Sequence, residues 1–130
     1  MTKPKVSKLK KVADTIFSKC RRKENADHRG LVRCFTCGKV DEWQKMDCGH
    51  YESRQFNNTR YSEINTQVQC KGCNIFKGGN KTIFAVKLRE KYGEGILEKL
   101  RKEAQKIKQF SIPELEEMII KFKTELSKLC

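Results

Sequence analysis

The sequence predicts an α+β domain: a small zinc-stapled core of short extended segments, set between N- and C-terminal helices. Two C-x2-C pairs carry most of that prediction, Cys34/Cys37 and Cys70/Cys73. Apolar residues recur at helical spacing on both sides of them, and the chain between them offers only short strand-like alternation. At 130 residues, with 35% charged residues, the chain is long enough for one domain with a small core. Small cores commonly need a staple, and a structural metal is one.

Three regions follow: a basic helical arm over 1–30, a metal-bearing core over 31–80, and C-terminal helices over 81–130. Val6, Leu9, Ala13, Ile16, Phe17 and Cys20 mark an amphipathic helix over about residues 5–22. The polar run Arg21–Gly30 reads as a turn, with His28 exposed in it. Leu31 to Tyr51 reads as a knuckle followed by extended chain, with Trp43 and Met46 as apolar contacts. Arg54–Glu63 is polar and reads as a loop, whereas Ile64, Thr66, Val68 and Cys70 alternate as in a strand. A short helix is expected from Gly72 to the Gly78-Gly79 pair, then a helix capped by Asn80 and running to Tyr92. Ile96, Leu97, Leu100, Ala104 and Ile107 mark another helix. Ser111-Ile112-Pro113-Glu114 has capping-box spacing and opens the last. There Leu115, Ile119, Phe122, Leu126 and Leu129 alternate four and three apart, a seam for the chain's own helices or for a homodimer.

Charge narrows the partner. The formal net charge is +13, and residues 1–23 hold nine Lys/Arg against Asp14 alone. Residues 81–130 hold twelve against eight acids, so the excess is concentrated at the start. Such a surface predicts a polyanion bound in a salt-sensitive way, with the first helix gripping the backbone. A lysine surface kept for solubility is the plainer alternative. No stretch approaches the ~20 apolar residues that cross a membrane. The basic start lacks the apolar core of a signal peptide, so a cytoplasmic protein is expected. Seven cysteines, an odd number, then read as reduced thiols rather than disulfides.

Two C-x2-C hooks present four thiolates to one tetrahedral metal and leave no open position for substrate. Cys34, Cys37, Cys70 and Cys73 are therefore expected to hold a structural Zn²⁺ that ties together the ends of the intervening segment. Cys20, Cys48 and Cys130 are left over, and Cys48 stands where it competes as a ligand.

Between and just after the hooks lie an imidazole, a carboxylate and an amide: Asp47-x-x-His50, and Asn74 directly after Cys73. Phosphodiester hydrolysis needs an activated water and a cation to neutralise developing charge. A neutral His50 suits the general base. Asp47 and the Asn74 side-chain oxygen are hard ligands suited to one Mg²⁺ or Mn²⁺. The alternative is a histidine satisfied by the fold and without catalytic work. Arg54, Arg60, Lys77 and Lys81 flank these residues as candidate phosphate contacts or as solvated charge. Tyr51 and Phe56 are available to stack on unpaired bases or to pack in the core.

The pattern C-x2-C, D-x-x-H, C-x2-C-N resembles the HNH (ββα-metal, His-Me finger) endonucleases, and more distantly phage endonuclease VII. The longer strings Asp47-Cys-Gly-His-Tyr-Glu-Ser-Arg54, Gln69-Cys-Lys-Gly-Cys-Asn74 and Lys77-Gly-Gly-Asn80 resemble the phage NinG (Rap) recombination nucleases. The resemblance spans about residues 31–95. It implies a ββα-metal core and a structure-specific DNA endonuclease acting on branched DNA such as a Holliday junction. Asn65 matches the middle Asn of HNH motifs, which orients the base imidazole; Asn57 and Asn58 lie nearby, and a plain strand-edge role is equally open. Asp47 and His50 are separated by Cys-Gly rather than adjacent, and the last ligand is Asn rather than His, as in the junction-resolving relatives. The alternatives from other classes are a non-catalytic zinc-ribbon nucleic-acid-binding module and, behind it, an assembly adaptor using the last helix.

Overall fold

The computed structural model of the chain describes residues 2–129. Helix α1 (Thr2–Glu24) is followed by strands β1 (Leu31–Arg33), β2 (Val40–Glu42) and β3 (Asp47–His50), then by a four-residue helix α2 (Asn57–Arg60) and strand β4 (Thr66–Gln69). A π-helical turn, Gly72–Phe76, leads to α3 (Lys81–Tyr92), α4 (Ile96–Gln105) and α5 (Ile112–Ser127). The strands form two antiparallel pairs, β1–β2 and β3–β4. In the second pair Asp47 lies opposite Gln69 and His50 opposite Thr66. The fold is thus α+β, and no helix among the described residues is long and apolar enough to cross a membrane.

Three apolar clusters hold these elements. Val32, Cys34, Met46, Val68, Cys70 and Cys73 bury themselves around the cysteine hooks, with Trp43 packed alongside. Phe84, Leu88, Ile96 and Leu100 join α3 to α4, with Tyr51 and Phe35 against them. The third cluster joins α1 to α5 through Ala13, Phe17, Cys20, Ile119 and Phe122. There the Phe17 and Phe122 rings lie 5.2 Å apart, and each buried ring contributes ~1.5–3 kcal/mol. The seam read on the last helix is therefore filled by the chain's own first helix. The predicted capping box is present, with Glu114 N donating to Ser111 Oγ and Ser111 N to Glu114 Oε1, both at 3.2 Å.

Basic residues of α1 face inward as well as outward. The Arg21 guanidinium donates to Thr66 Oγ1 at 3.1 Å, Thr66 O at 2.7 Å and Glu63 O at 2.9 Å. Arg22 donates to the carbonyls of Trp43 and Met46 at 3.2 and 3.1 Å. These bonds tie the end of α1 to β4 and to the link between β2 and β3.

Several local expectations are revised. The polar segment Arg54–Glu63 is not all loop, since α2 lies within it. β4 is shorter than Ile64–Cys70, and Thr66, Gln67, Val68 and Gln69 are all buried because both faces are covered. Asn80 precedes α3 as expected but caps nothing with its side chain. Its φ of 49° is left-handed, a conformation Asn tolerates, and its amide donates instead to Cys73 Sγ at 3.6 Å. Helix α4 ends at Gln105, leaving Ile107 in the link at 96% exposure.

Candidate functional site

The zinc hooks meet. Cys34 closes β1, Cys37 turns back from it, Cys70 follows β4 and Cys73 lies in the π-helical turn. Their four Sγ atoms lie within 4.8 Å of one another, and Cys37 and Cys70 are 3.6 Å apart. Zinc–thiolate bonds of about 2.3 Å in a tetrahedron require sulfurs about 3.8 Å apart, so the set fits one Zn²⁺. Burial opposes ionisation of Cys34, but the Thr36 hydroxyl and nearby backbone N–H groups bring its thiol down below its ordinary value. Cys48 is outside the cluster: it faces α1, and burial pushes its thiol up to about 11.

The same turn that supplies Cys73 carries Asn74 to Asp47. Asn74 Nδ2 donates to Asp47 Oδ2 at 3.0 Å, and Lys71 Nζ lies 2.7 Å from Asp47 Oδ1. The β3–β4 register explains this meeting: Asp47 pairs with Gln69, so the residues just after Gln69 fold over it. The register also requires a glycine next along the strand. A Cβ on Gly49 would lie 1.9 Å from Gln69 Oε1. Gln69 in turn donates to Gly79 O at 2.8 Å and Thr36 Oγ1 at 3.2 Å, locking the sheet to the zinc knuckle.

Asp47, Asn74, Lys71, His50, Arg54 and Lys81 line one open cleft of about 630 Å³. Three residues apart on a strand, Asp47 and His50 point to opposite faces. They reach a common cleft because the outer edge of β3 is unpaired and the cleft runs along it. A carboxylate and an amide side by side are the hard donors that a small divalent cation takes. At present the Lys71 ammonium is the positive charge beside that carboxylate.

His50 is held from behind. The Arg60 carbonyl is 2.9 Å from Nε2 and can only accept, so Nε2 carries the proton and Nδ1 is left basic. Burial lowers the imidazole's pKa below its ordinary 6.5, outweighing the Arg60 carbonyl that favours the protonated ring. Arg60 is itself clamped: Nε and one terminal nitrogen donate to Asp14 of α1 at 2.8 and 2.5 Å. The two side chains are 13% and 15% exposed. Asn65 is fully buried, and its side-chain hydrogen bonds go to groups other than the His50 ring. Its Oδ1 accepts from Glu52 N at 2.7 Å, while Nδ2 donates to the carbonyls of Glu52 and Thr59 at 2.9 and 3.1 Å. It fixes the loop that follows His50, whereas Asn57 and Asn58 donate to the Lys108 and Glu103 carbonyls.

The candidate phosphate contacts divide. Arg60 is committed to Asp14, so its charge faces the fold. Arg54 is 63% exposed and 3.9 Å from Asp14. Lys81 bends its ammonium onto the His50 and Tyr51 carbonyls. Lys77 is exposed beside the turn. Tyr51 stacks edge-on against Phe84 at 5.4 Å, within the core. Sequence reasoning missed Lys71 and Asp14 at this site. For Asp14 a signal existed, since a lone acid in a basic helix next to buried Ala13 demands a partner.

Fold and site together define a small α+β protein built on a four-thiol knuckle fitted for zinc, with a basic cleft beside it. The family described as Bacteriophage Lambda NinG protein matches residues 2–130. The chain belongs to that NinG family. No curated protein and no solved structure matches it significantly.

Proposed function

We propose that the protein is a metal-dependent endonuclease of the HNH type that cuts branched DNA in phage recombination, acting in the cytoplasm of the host cell. The observation that carries this reading is one cleft holding the Asp47–Asn74 donor pair and a histidine whose Nδ1 is left basic. The basic surface and the NinG family membership support DNA as the substrate.

In this reading His50 Nδ1 takes a proton from a water as its oxygen attacks phosphorus, and the P–O bond to the leaving sugar oxygen breaks. The Arg60 carbonyl keeps the Nε2 proton in place and stabilises the imidazolium that forms. Asp47 and Asn74 hold Mg²⁺ or Mn²⁺, which when bound supplies the positive charge that the phosphate and leaving oxygen need. Lys71 must leave Asp47 for that. Arg54, Lys77 and Lys81 hold flanking phosphates, while Asn65 acts at a distance by fixing the loop. Zn²⁺ on Cys34, Cys37, Cys70 and Cys73 aligns β4 and the Asn74 turn against β3.

The test is cleavage of a labelled four-way junction beside a linear duplex of matched sequence. It is run with Mg²⁺ or Mn²⁺, with EDTA, and with His50→Ala, zinc content being followed throughout. Metal-dependent cutting of the junction that falls at least ~10²-fold in His50→Ala, at unchanged zinc content, is the expected result. Cutting that survives the substitution removes His50 as the base. Tight binding without cutting of any substrate would favour the zinc-ribbon binding module, which accounts for the cysteines and charge but not for the Asp47, His50 and Asn74 cleft.

A further inference from the structure

The turn that carries Asn74 ends in two apolar side chains that nothing in the fold covers. Ile75 is 59% exposed and Phe76 85%. Among the described residues Tyr92, at 37%, is the next most exposed aromatic, and Ile107 stands alone in the α4–α5 link. The turn is not a loose loop. Cys70 and Cys73 anchor it, and Lys77 N to Gly72 O, Gly79 N to Cys73 O and Gly78 N to Ile75 O close it at 3.0, 2.9 and 3.2 Å. A fixed turn that leaves a phenyl ring in water forgoes the gain of burying it. Ile75 lines the same cleft as Asp47 and His50, so the exposed pair stands at the rim of the candidate active site.

The surrounding charge selects what would cover it. From Lys71 to Lys81 the segment has three lysines and no acid; Lys71 faces Asp47, Lys81 faces the His50 and Tyr51 carbonyls, and Lys77 is exposed beside the ring. An apolar face in a cationic frame matches a nucleobase attached to its phosphate: the ring meets the base and the ammonium groups meet the backbone. Intact duplex offers no free base face, whereas a branch point does.

We propose that Phe76, backed by Ile75, stacks on base faces left unstacked at the branch point of DNA bound in the cleft, and so reads DNA structure for the enzyme. This rests on the proposed nuclease reading for the substrate class only. Phe76 is a recognition residue and touches no reacting atom.

The test compares full-length wild type, F76A, F76L, F76W and K77A for binding to a four-way junction and to linear duplex, without added Mg²⁺ or Mn²⁺. Base–aromatic stacking of ~1–3 kcal/mol predicts that F76A weakens junction binding by about 5- to 150-fold. Duplex binding and the salt slope stay unchanged. K77A instead lowers the salt slope on both substrates by about 0.9. F76W restores junction binding better than F76L, which keeps apolar bulk without an aromatic face. Its added fluorescence, over wild type with Trp43 alone, is quenched by the junction and not by duplex.

F76A binding the junction as wild type does, or losing duplex affinity equally, overturns the proposal. So does F76A that leaves DNA binding intact but abolishes self-association in sedimentation, since the patch would then be a contact between copies. Junction binding through Phe76 without any cutting leaves this inference standing and removes the nuclease reading. Cutting of junctions that is indifferent to Phe76 does the reverse.

Discussion

Replacing Asp14 by Asn tests whether the first helix governs the chemistry of a histidine thirty-six residues away in sequence. The substitution keeps the shape and removes the charge that Arg60 faces at 2.8 and 2.5 Å. Breaking a buried ion pair by removing one partner costs about 3–5 kcal/mol. This pair, at 13% and 15% exposure, is close to that case. The amide still accepts one bond, which leaves an expected loss of about 2–3 kcal/mol. For a domain of this size that lowers Tm by roughly 6–12 °C. Burial raises the Asp14 pKa, but Arg60 outweighs it and the net shift is down from 3.8. A depressed carboxyl contributes stability that is fully present above its unfolded pKa and lost as pH falls through the folded one. The deficit of Asp14→Asn should therefore be flat between about pH 5 and about pH 8. The functional effect follows from Arg60, whose carbonyl holds the His50 ring. Cleavage kcat should fall about tenfold or more with KM little changed. Thermal melts and steady-state cleavage check both, and a variant as stable and as fast as wild type refutes the clamp.

Asn65→Ala leaves Glu52 N and the carbonyls of Glu52 and Thr59 without their partner, and should cost ~2–4 kcal/mol by denaturant titration while zinc content holds. Removing zinc with a strong thiol-competing chelator should unfold the β-strand core, because metal binding and folding are coupled there. Loss of near-ultraviolet ellipticity in step with release of one Zn²⁺ per chain checks this. If His50 is the base, as proposed, it works neutral with a lowered pKa, so the log of the cleavage rate should rise with pH on the acid side, bend below 6.5 and be level at neutral pH. A rate still climbing through pH ~7–8 would assign the base elsewhere.

Much of the fold was legible because its signals are local. The helical spacing of Ala13, Phe17 and Cys20, or of Leu115, Ile119 and Phe122, survives in the sequence whatever those residues pack on. The four cysteines announce their own meeting, since thiol hooks at that spacing have few other uses. What stayed hidden depends on contacts distant in sequence. β4 breaks alternation because Arg21 satisfies Thr66 on one face while Thr36 and Gly79 satisfy Gln69 on the other. Asn57–Arg60 is too short and polar to show helical periodicity. In the sequence Arg60 is indistinguishable from an exposed arginine, because its partner Asp14 is distant in the chain, and Lys71 reaches Asp47 only through the strand register. Asn80 has the residue type of a helix cap, yet its left-handed backbone sends its amide to a cysteine.

The packing of α1 on α5 sets the order in which the protein comes into being. Cys20 Sγ lies 3.3 Å from the carbonyl of Phe122, a contact that closes over 102 residues of chain. While the chain is being synthesised, α1 leaves the ribosome with its apolar face bare, and its cover follows 102 residues later. Asp14 sits on that helix, so the clamp behind His50 is held from one side only until residue 122 has left the ribosome. The zinc knuckle, whose ligands are complete by residue 73, has no such wait. Nascent chains can therefore bring the four thiols of the knuckle together before they gain a rigid histidine site.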